Sequence, residues 1–300
     1  MGEKIRLFFL GTSDSIPTAS RNHSAFLIFY KGENILIDCG EGTQRQIRKA
    51  RLNPCKLTKI LITHWHADHT LGLAGILKTL ALSGYNKTLF IYGPPGIKTQ
   101  LGLLLKLFGF NNEYEIRVEE VEGRFFENED FYLEAASMVH KVPCNSYSFC
   151  VREKIRINKS KLKKFKIPPG PHLKKLKEGK DFFYNNKKYL SKDFIYKENL
   201  RKVSFVLDTS FNERIVPFVK NSDVLVCEST YRSDMEDKAI EYNHLTSEQA
   251  AKIAKNGKIK RLFLVHISQR FSKDTEKVLK EARKIFKNTF LPKDLDVIEV

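Results

Sequence analysis

The sequence predicts an α/β protein of the αββα type, in which two β-sheets face each other and helices cover both outer faces. Short apolar strands and helical patterns follow one another along the 300 residues, without the strict strand–helix–strand alternation of a parallel sheet. Apolar residues make up 42% of the chain and include 22 Phe, which is enough for one large core. We therefore expect a single domain over residues 1–300.

The individual elements are predicted from the spacing of apolar residues and from the turn residues between them. In the first half we expect strands at Ile5–Leu10, Ala25–Tyr30, Asn34–Ile37, Lys59–Thr63 and Thr88–Tyr92, and helices at Glu41–Arg51, His69–Ser83 and Gly96–Leu107. In the second half we expect strands at Phe131–Val139, Tyr147–Val151, Val203–Leu207, Val224–Cys227 and Arg261–Val265, and helices at Thr246–Lys255 and Ser272–Phe286.

Residues 152–202 differ from the rest of the chain in charge. They contain 18 Lys and Arg against 5 Asp and Glu, whereas the remaining residues contain 34 against 30, within a net charge of +17. The turn Pro168-Pro169-Gly170-Pro171 cannot continue a helix or a central strand. We expect an inserted basic arm with too few apolar residues for a second core. Such a local excess indicates a polyanionic partner, although a solvated lysine-rich surface has the same composition.

The cysteines and the apolar runs indicate in which cellular compartment the protein is expected. Five cysteines, without a Cys-x-x-Cys spacing, are expected to be reduced core residues and neither disulfides nor zinc ligands. No run of about 18 apolar residues occurs, and the first strand begins at Ile5, which argues against a membrane span or a secretory signal. We expect a cytoplasmic protein that has no membrane partner and binds metal through imidazole and carboxylate groups.

Three histidines and an aspartate lie within six residues, directly after the fourth predicted strand. Their sequence is His64-Trp65-His66-Ala67-Asp68-His69. Imidazole nitrogens and carboxylate oxygens are the donors that zinc binds when no thiolate is available. Because alternate residues of an extended segment share a face, His64 and His66 can contact one metal ion. Asp68 and His69 lie past the turn and can contact a second ion.

Further candidate ligands occupy the ends of later predicted strands, namely His140, Asp208 and His266. A single histidine at such a position is more often structural, but these three residues could gather on one sheet edge and, together with the motif above, complete two metal sites. Since a lone aspartate must then serve both ions, Asp208 is the candidate bridging ligand. Two ions about 3.5–4 Å apart suit phosphodiester cleavage, because they activate a water molecule and neutralise charge on the phosphate oxygens.

A leaving 3′ oxygen also needs a proton from a general acid. His244 lies at a predicted loop-to-helix junction and is the remaining histidine best placed for this role. Glu228 follows the strand Val224–Cys227 and is the candidate carboxylate that orients the imidazole of His244. His23 and His172 are not expected to bind metal, and His172 is a candidate RNA contact.

These motifs resemble ribonuclease Z, the tRNA 3′-processing endonuclease family of the metallo-β-lactamase superfamily, over essentially the whole chain. Residues 64–69 match the superfamily pattern His-x-His-x-Asp-His. Matches at the level of the family are Phe9–Ser13, Pro17–Asn22, Asp38–Gln44, Tyr92–Pro94, Ile167–Pro171, Cys227–Thr230, His244–Thr246 and His266–Arg270. The family pattern has Lys where this chain has Ala19, and Gly where it has Leu207.

The resemblance implies a metallo-β-lactamase fold with two Zn²⁺ ions per subunit. The implied ligands are His64, His66 and His140 for one ion, Asp68, His69 and His266 for the other, and Asp208 as the bridge. Asp68 would also handle the proton of the attacking water. The basic arm would grip the elbow of a precursor tRNA, and a homodimer would present one subunit's arm to the other subunit's active site. Cleavage would leave a 3′ hydroxyl on the tRNA and a 5′ phosphate on the trailer.

Two other kinds of protein share parts of this pattern. The same metal motif serves thiolester hydrolases, β-lactamases and phosphodiesterases that act on small cyclic nucleotides. The alternative outside enzymes is an RNA-binding protein with a vestigial metal site. The basic arm favours a large anionic substrate over a small one. The presence of all seven candidate ligands, together with His244 and Glu228, favours an enzyme.

Overall fold

A computed structural model describes residues 3–110, 113–185 and 187–300 of the chain. The strands of the first part are β1 (Arg6–Gly11), β2 (Ala25–Tyr30), β3 (Glu33–Ile37), β4 (Lys59–Leu61), β5 (Leu89–Gly93) and β6 (Ile116–Glu120). The helices there are α1 (Thr43–Lys49), α2 (Ala67–Thr70), α3 (Leu73–Leu82) and α4 (Ile97–Leu107). A short 3₁₀ turn at Pro54–Lys56 precedes β4.

The middle of the chain contains three long strands and the basic arm. The strands are β7 (Gly123–Glu127), β8 (Phe131–Met138) and β9 (Cys144–Val151). The arm consists of β10 (Lys154–Ile157), α5 (Lys159–Lys164), α6 (His172–Lys177), β11 (Phe182–Tyr184), β12 (Lys187–Tyr189), α7 (Ser191–Phe194) and β13 (Ile195–Glu198). It leaves the body after β9 and returns immediately before the next strand of the same sheet.

The last third of the chain completes both sheets. Its strands are β14 (Arg201–Val206), β15 (Val224–Glu228), β16 (Arg261–Val265), β17 (Thr289–Phe290) and β18 (Val297–Glu299). Its helices are α8 (Ile215–Val219), α9 (Glu236–Tyr242), α10 (Ser247–Asn256) and α11 (Thr275–Ile285), with 3₁₀ turns at Ser233–Met235 and Gln269–Phe271. In the part of the chain that the structure describes, no helix is long and apolar enough to cross a membrane.

The described strands build two seven-stranded sheets of similar plan. The first has the order β18-β1-β2-β3-β4-β5-β6 and the second the order β17-β16-β15-β14-β9-β8-β7. In the first, β3 to β6 are parallel and the other pairs antiparallel. In the second, β14 to β17 are parallel and β7 to β9 are antiparallel. The predicted αββα sandwich is therefore confirmed.

Three apolar layers hold the sandwich together. The central layer lies between the sheets and is rich in aromatic rings, with Phe26 of β2 5.8 Å from Phe205 of β14 and Phe9 of β1 5.4 Å from Phe263 of β16. Such ring pairs fasten two facing sheets by burial and by tilted contacts. One outer layer lies beneath α3 and α4, and the other beneath α8, α10 and α11.

The predicted helix His69–Ser83 is two helices, and the prediction was wrong in this respect. Gly72 separates α2 from α3 and donates its N–H to the Cys39 carbonyl at 2.9 Å. A Cβ at this position would lie 2.2 Å from the carbonyl oxygen of Gly40, so only glycine allows the two segments to approach. This break between α2 and α3 holds the segment His64–His69 against the loop that follows β3.

The arm encloses a small apolar cluster of its own, which its composition did not predict. The buried members are Leu162, Ile167, Leu176, Phe182 and Phe194. Two short antiparallel strand pairs, β10 with β13 and β11 with β12, frame this cluster. The number of apolar residues in the arm gave no sign of this cluster. Two of its five buried members are phenylalanines, and each aromatic ring buries a large area.

Candidate metal centre

The candidate ligands meet at one end of the sandwich, where the two sheets face each other. His64 and His66 follow β4 of the first sheet, and the α2 residues Asp68 and His69 come next. The other three, His140, Asp208 and His266, follow β8, β14 and β16 of the second sheet. The three later residues thus lie on one edge of the second sheet, as predicted, and the His64–His69 segment meets them from the first sheet.

One group of side chains combines three histidines with an aspartate. The ligand-type atoms of His64, His66, His140 and Asp208 all lie within 4.8 Å of one another. The Nδ1 atom of His66 lies 2.9 Å from Nε2 of His64 and 3.3 Å from Nε2 of His140. The Oδ2 atom of Asp208 lies 3.7 Å from Nε2 of His64. This is the set of residues expected for the first metal ion.

A second group lies beside the first and shares Asp208 with it. Its members are Asp68, His69, Asp208 and His266, whose ligand-type atoms also lie within 4.8 Å of one another. The Oδ2 atom of Asp68 lies 3.3 Å from Nε2 of both His69 and His266. The Oδ1 atom of Asp208 lies 3.4 Å and 3.3 Å from the same two nitrogens. This is the set of residues expected for the second ion.

The donor set of the two groups fits a pair of divalent cations. The two oxygens of Asp208 are divided between them, since Oδ2 faces His64 and Oδ1 faces His69 and His266. Both Oδ1 of Asp208 and Nε2 of His69 are fully buried and lack a hydrogen-bond partner among the residues that the structure describes. Buried polar atoms are rarely left unpaired, and a cation between these atoms would satisfy both.

Asp38 supports the second group, although the sequence did not mark it as a site residue. Its carboxylate lies 2.6 Å from Nδ1 of His69 and is fully buried. It also accepts the backbone N–H of Thr63 at 2.7 Å and the Thr63 hydroxyl at 2.8 Å. These bonds fix the ring so that Nε2 of His69 faces Asp68 and Asp208. The position of Asp38 just after β3 was the signal that could have marked it.

Two more ligand-type histidines are oriented through their second ring nitrogen. Nδ1 of His266 pairs with the Thr230 hydroxyl at 2.8 Å, and that hydroxyl donates to Glu228 at 2.6 Å. Nδ1 of His140 donates to the backbone carbonyl of Asn243 at 3.1 Å. In both rings Nε2 is therefore the nitrogen that faces the other ligand-type side chains, as metal binding through this atom requires.

Three residues of the centre adopt left-handed backbone conformations. The φ angle is +55° at Asp38, +33° at Asp208 and +56° at His266. Residues other than glycine rarely occupy this region, and such strain concentrates at functional sites. Leu207, in contrast, is fully buried in the central core, where its side chain packs without a positive φ.

The charges of the centre are arranged for cation binding. Burial lowers the pKa of His64 well below its ordinary value and also lowers the pKa of His66 and His140, which keeps these rings neutral. Burial alone would also lower the pKa of His266, but Asp208 and Asp68 outweigh it and raise that pKa to about 9. Metal binding would displace such protons, since only the neutral ring is a ligand.

His244 and Glu228 form a third cluster with His266, in which the ligand-type atoms lie within 4.8 Å of one another. Nδ1 of His244 lies 3.1 Å from Oε2 and 3.2 Å from Oε1 of Glu228, which is fully buried. Burial would lower the pKa of His244, but the Glu228 carboxylate outweighs it and raises that pKa. The His244 ring centroid lies 5.4 Å from those of His140 and His266, so the pair adjoins both groups.

The two remaining histidines lie outside both groups, as predicted. His23 is nearly buried, with Nε2 3.3 Å from the backbone carbonyl of Ser15. His172 stacks on Phe182 with ring centroids 5.0 Å apart, and its Nε2 lies 2.8 Å from the Pro168 carbonyl oxygen. These contacts involve the His172 ring in the packing of the arm. Whether it also contacts RNA stays a prediction.

Full-length relatives decide the family. The chain is 38% identical to the ribonuclease Z of Oceanobacillus iheyensis over 308 residues, which covers 99% of this chain and 100% of the relative. It is 36% identical to the ribonuclease Z of Nanoarchaeum equitans over 293 residues, covering 98% and 92%. The chain belongs to the ribonuclease Z family. The predicted resemblance is thereby confirmed, and with it a metal-dependent hydrolase of phosphodiester bonds.

Solved structures and a family model agree with the fold. The short form of human tRNase Z superimposes with a TM-score of 0.71 at 26% identity, covering 98% of both chains. The metallo-β-lactamase fold protein YhfI of Bacillus subtilis gives 0.74 at 17% identity over 100% of both chains, which shows the fold alone. Residues 5–160 also match the family model for the anti-Pycsar protein Apyc1. That match ends inside the arm, before Asp208, Glu228, His244 and His266.

Proposed function

We propose that this ribonuclease Z removes the 3′ trailer from precursor tRNA with two Zn²⁺ ions per subunit. The observation that supports it most is the division of the Asp208 oxygens between two buried groups of ligand-type side chains. The substrate is supported by the full-length identity to ribonuclease Z relatives and by the similarity to human tRNase Z. Five imidazoles and two carboxylates, with no thiolate, suit zinc.

The proposed ligands divide between the two ions. His64, His66 and His140 would hold one ion, and Asp68, His69 and His266 the other, with Asp208 shared. When bound, such ions would lower the pKa of a water molecule and neutralise charge on the phosphate oxygens. Asp68 would accept the proton of the attacking water. Its Oδ2 lies 3.3 Å from Nε2 of both His69 and His266, within the second group.

His244 would protonate the departing 3′ oxygen of the tRNA. Its Nδ1 faces Glu228, which leaves Nε2 as the nitrogen that can present a proton to the substrate. Glu228 keeps the ring in this orientation and raises its pKa, so that the acid form is populated near neutral pH. Both oxygens of Glu228 accept protein donors, Thr209 N–H at 2.7 Å and the Thr230 hydroxyl at 2.6 Å. Glu228 would therefore orient His244 and not bind metal.

The arm would bind the body of the tRNA. Lys163, Lys164 and Lys166 are exposed on it, where they can contact phosphates. The resemblance to the family supports a homodimer in which the arm of one subunit serves the active site of the other. A tRNA substrate would also place the protein in the cytoplasm.

A cleavage assay separates this function from its alternative. Purified protein is incubated with zinc and a precursor tRNA that has a 3′ extension, beside bis-p-nitrophenyl phosphate as a small substrate. We expect one cut at the end of the acceptor stem, leaving a 3′ hydroxyl on the tRNA and a 5′ phosphate on the trailer. Hydrolysis of the small substrate with an intact precursor would instead favour a phosphodiesterase of other substrates.

A further inference from the structure

An exposed tyrosine adjoins the proposed metal centre without a role in it. Tyr242 is the last residue of α9 and is 43% exposed. The next residue, Asn243, accepts the hydrogen bond from Nδ1 of His140, and the one after it is His244. Tyr242 is therefore two residues from the proposed general acid and directly precedes the residue whose carbonyl orients the proposed metal ligand His140.

The backbone that carries Tyr242 is held firmly. Asn243 ends α9 with a φ of +57°, and its side-chain oxygen accepts the Ser210 hydroxyl at 2.8 Å. The N–H of His244 bonds to the carbonyl of Ala239 at 2.8 Å. These contacts close the helix end and fix the backbone from which the side chain of Tyr242 leaves it.

A lysine lies against the same ring. The Nζ atom of Lys141 is 4.7 Å from the centroid of Tyr242, and Lys141 directly follows His140. Lys141 is exposed, as is Val139 on the other side of His140, at 46%. The neighbouring Glu241 raises the pKa of the Tyr242 hydroxyl, so the ring stays neutral at physiological pH. An aromatic ring and a cation thus lie together on residues that directly adjoin Asn243 and His140.

We propose that Tyr242 and Lys141 form a stacking platform for an unpaired nucleobase of the RNA next to the bond that is cleaved. Every base has a π face, so stacking on an exposed ring needs no particular sequence, and a nearby cation attracts the phosphate. A base held in this way would fix the adjoining phosphate over the two groups of proposed metal ligands. This inference rests on the proposed function, since it needs a single-stranded segment at the site of cleavage.

The test combines a variant with abasic substrates. In separate precursor tRNAs, the nucleotide on each side of the cleaved bond is replaced by an abasic residue. We expect the wild-type enzyme to lose about 10- to 100-fold in kcat/KM on one of them, the size of one stacking contact. Tyr242→Ala should show a similar loss on the intact precursor and no further loss on that abasic substrate. Tyr242→Phe should retain the wild-type rates.

Controls keep the outcomes distinct. Phe108→Ala removes another exposed aromatic side chain, at the end of α4, and should leave the abasic effect unchanged. The zinc content and thermal unfolding of each variant are measured alongside. If Tyr242→Ala does not fold, Lys141→Ala and the two abasic substrates with wild-type enzyme provide the test. The platform is refuted if neither abasic precursor is cleaved more slowly, or if the losses from variant and substrate multiply. An intact precursor in the wild-type reaction would refute the proposed function instead.

Discussion

At the scale of single residues, four of the proposed imidazole ligands are each oriented by a hydrogen bond at the nitrogen that does not face the centre. His69 bonds to Asp38, His266 to Thr230, and His140 to the Asn243 carbonyl. Nδ1 of His64 lies 3.1 Å from the Thr63 hydroxyl, which itself donates to Asp38. The buried carboxylate of Asp38 therefore orients the ring of His69 directly and that of His64 through Thr63, which makes Asp38 the most informative residue to change.

Asp38→Asn should weaken metal binding without removing a ligand. The substitution keeps the shape of the side chain but removes the charge that orients His69 and favours its N–H. Loss of such a supporting partner typically costs about 10- to 100-fold in metal affinity. Competition with a chromophoric zinc chelator measures it. Asp130→Asn, which changes an aspartate paired with two surface lysines, is the control. Equal zinc affinity in both variants would contradict the proposed role of Asp38.

His244→Ala should slow cleavage in a way that depends on the leaving group. A general acid contributes about 10²–10⁴-fold, so kcat on a precursor tRNA should fall by that order. The fall should be much smaller on bis-p-nitrophenyl phosphate, because p-nitrophenolate departs without a proton. Zinc content should stay unchanged, since His244 is not a proposed ligand. An equal loss on both substrates would show that His244 supports the metal groups and is not the acid.

The sequence marked all seven ligand-type residues, because each is a histidine or aspartate at the end of an apolar strand or in the His64–His69 motif. It did not mark Asp38 as a site residue, although Asp38 begins the family match Asp38–Gln44, because its 2.6 Å contact with His69 is visible only in the structure. The positive φ angles of Asp38, Asp208 and His266 are also invisible in the sequence, because they result from the surrounding packing.

At the scale of elements, buried strands were predicted well and exposed ones were missed. The central strands β2 and β16 lie where their apolar runs predict them, Ala25–Tyr30 and Arg261–Val265. The edge strands β6 and β7 were not predicted. Their sequences IRVEE and GRFFE contain charged residues and little burial, so they lack the alternation that marks a half-buried strand. Their pairing comes from neighbouring strands of the sheets.

The arm is the element whose charge predicts its role. Replacing Lys163, Lys164 and Lys166 with alanine should weaken tRNA binding and reduce the slope of log affinity against log salt, by up to about 0.9 for each phosphate that the arm no longer neutralises. A control removes three exposed lysines from α11 and the residues after it, Lys280, Lys284 and Lys287, with the same change of net charge. Filter binding over a salt series compares them. Equal slopes in the two variants would contradict a specific role for the arm.

At the scale of the whole molecule, each of the two sheets supplies part of the centre. His64–His69 follow β4 of the first sheet, while His140, Asp208 and His266 follow strands of the second. The sequence predicted the two-sheet architecture and the ligand types but not that the site spans both sheets. That fact depends on how the sheets pack, which is set by long-range contacts such as Phe26 with Phe205.

The proposed dimer makes its own prediction at this scale. If the arm of one subunit serves the active site of the other, mixing the Asp68→Ala protein with the arm-lysine variant should restore cleavage of precursor tRNA. Mixed dimers then contain one intact arm opposite one intact centre. Cleavage rates of the mixture and of each variant alone provide the measurement. Activity no greater than the sum of the separate variants would contradict cooperation between subunits.

The central claim, that two metal ions sharing Asp208 carry out the cleavage, is tested most directly by a zinc titration of activity. Zinc is added in steps to chelator-stripped protein, and the rate of precursor tRNA cleavage is followed for the wild type and for Asp208→Ala. We predict a negligible rate without zinc, a plateau at two equivalents per chain, and no recovery in the variant. Cleavage by the stripped protein, or a plateau at one equivalent, would contradict the two-metal centre.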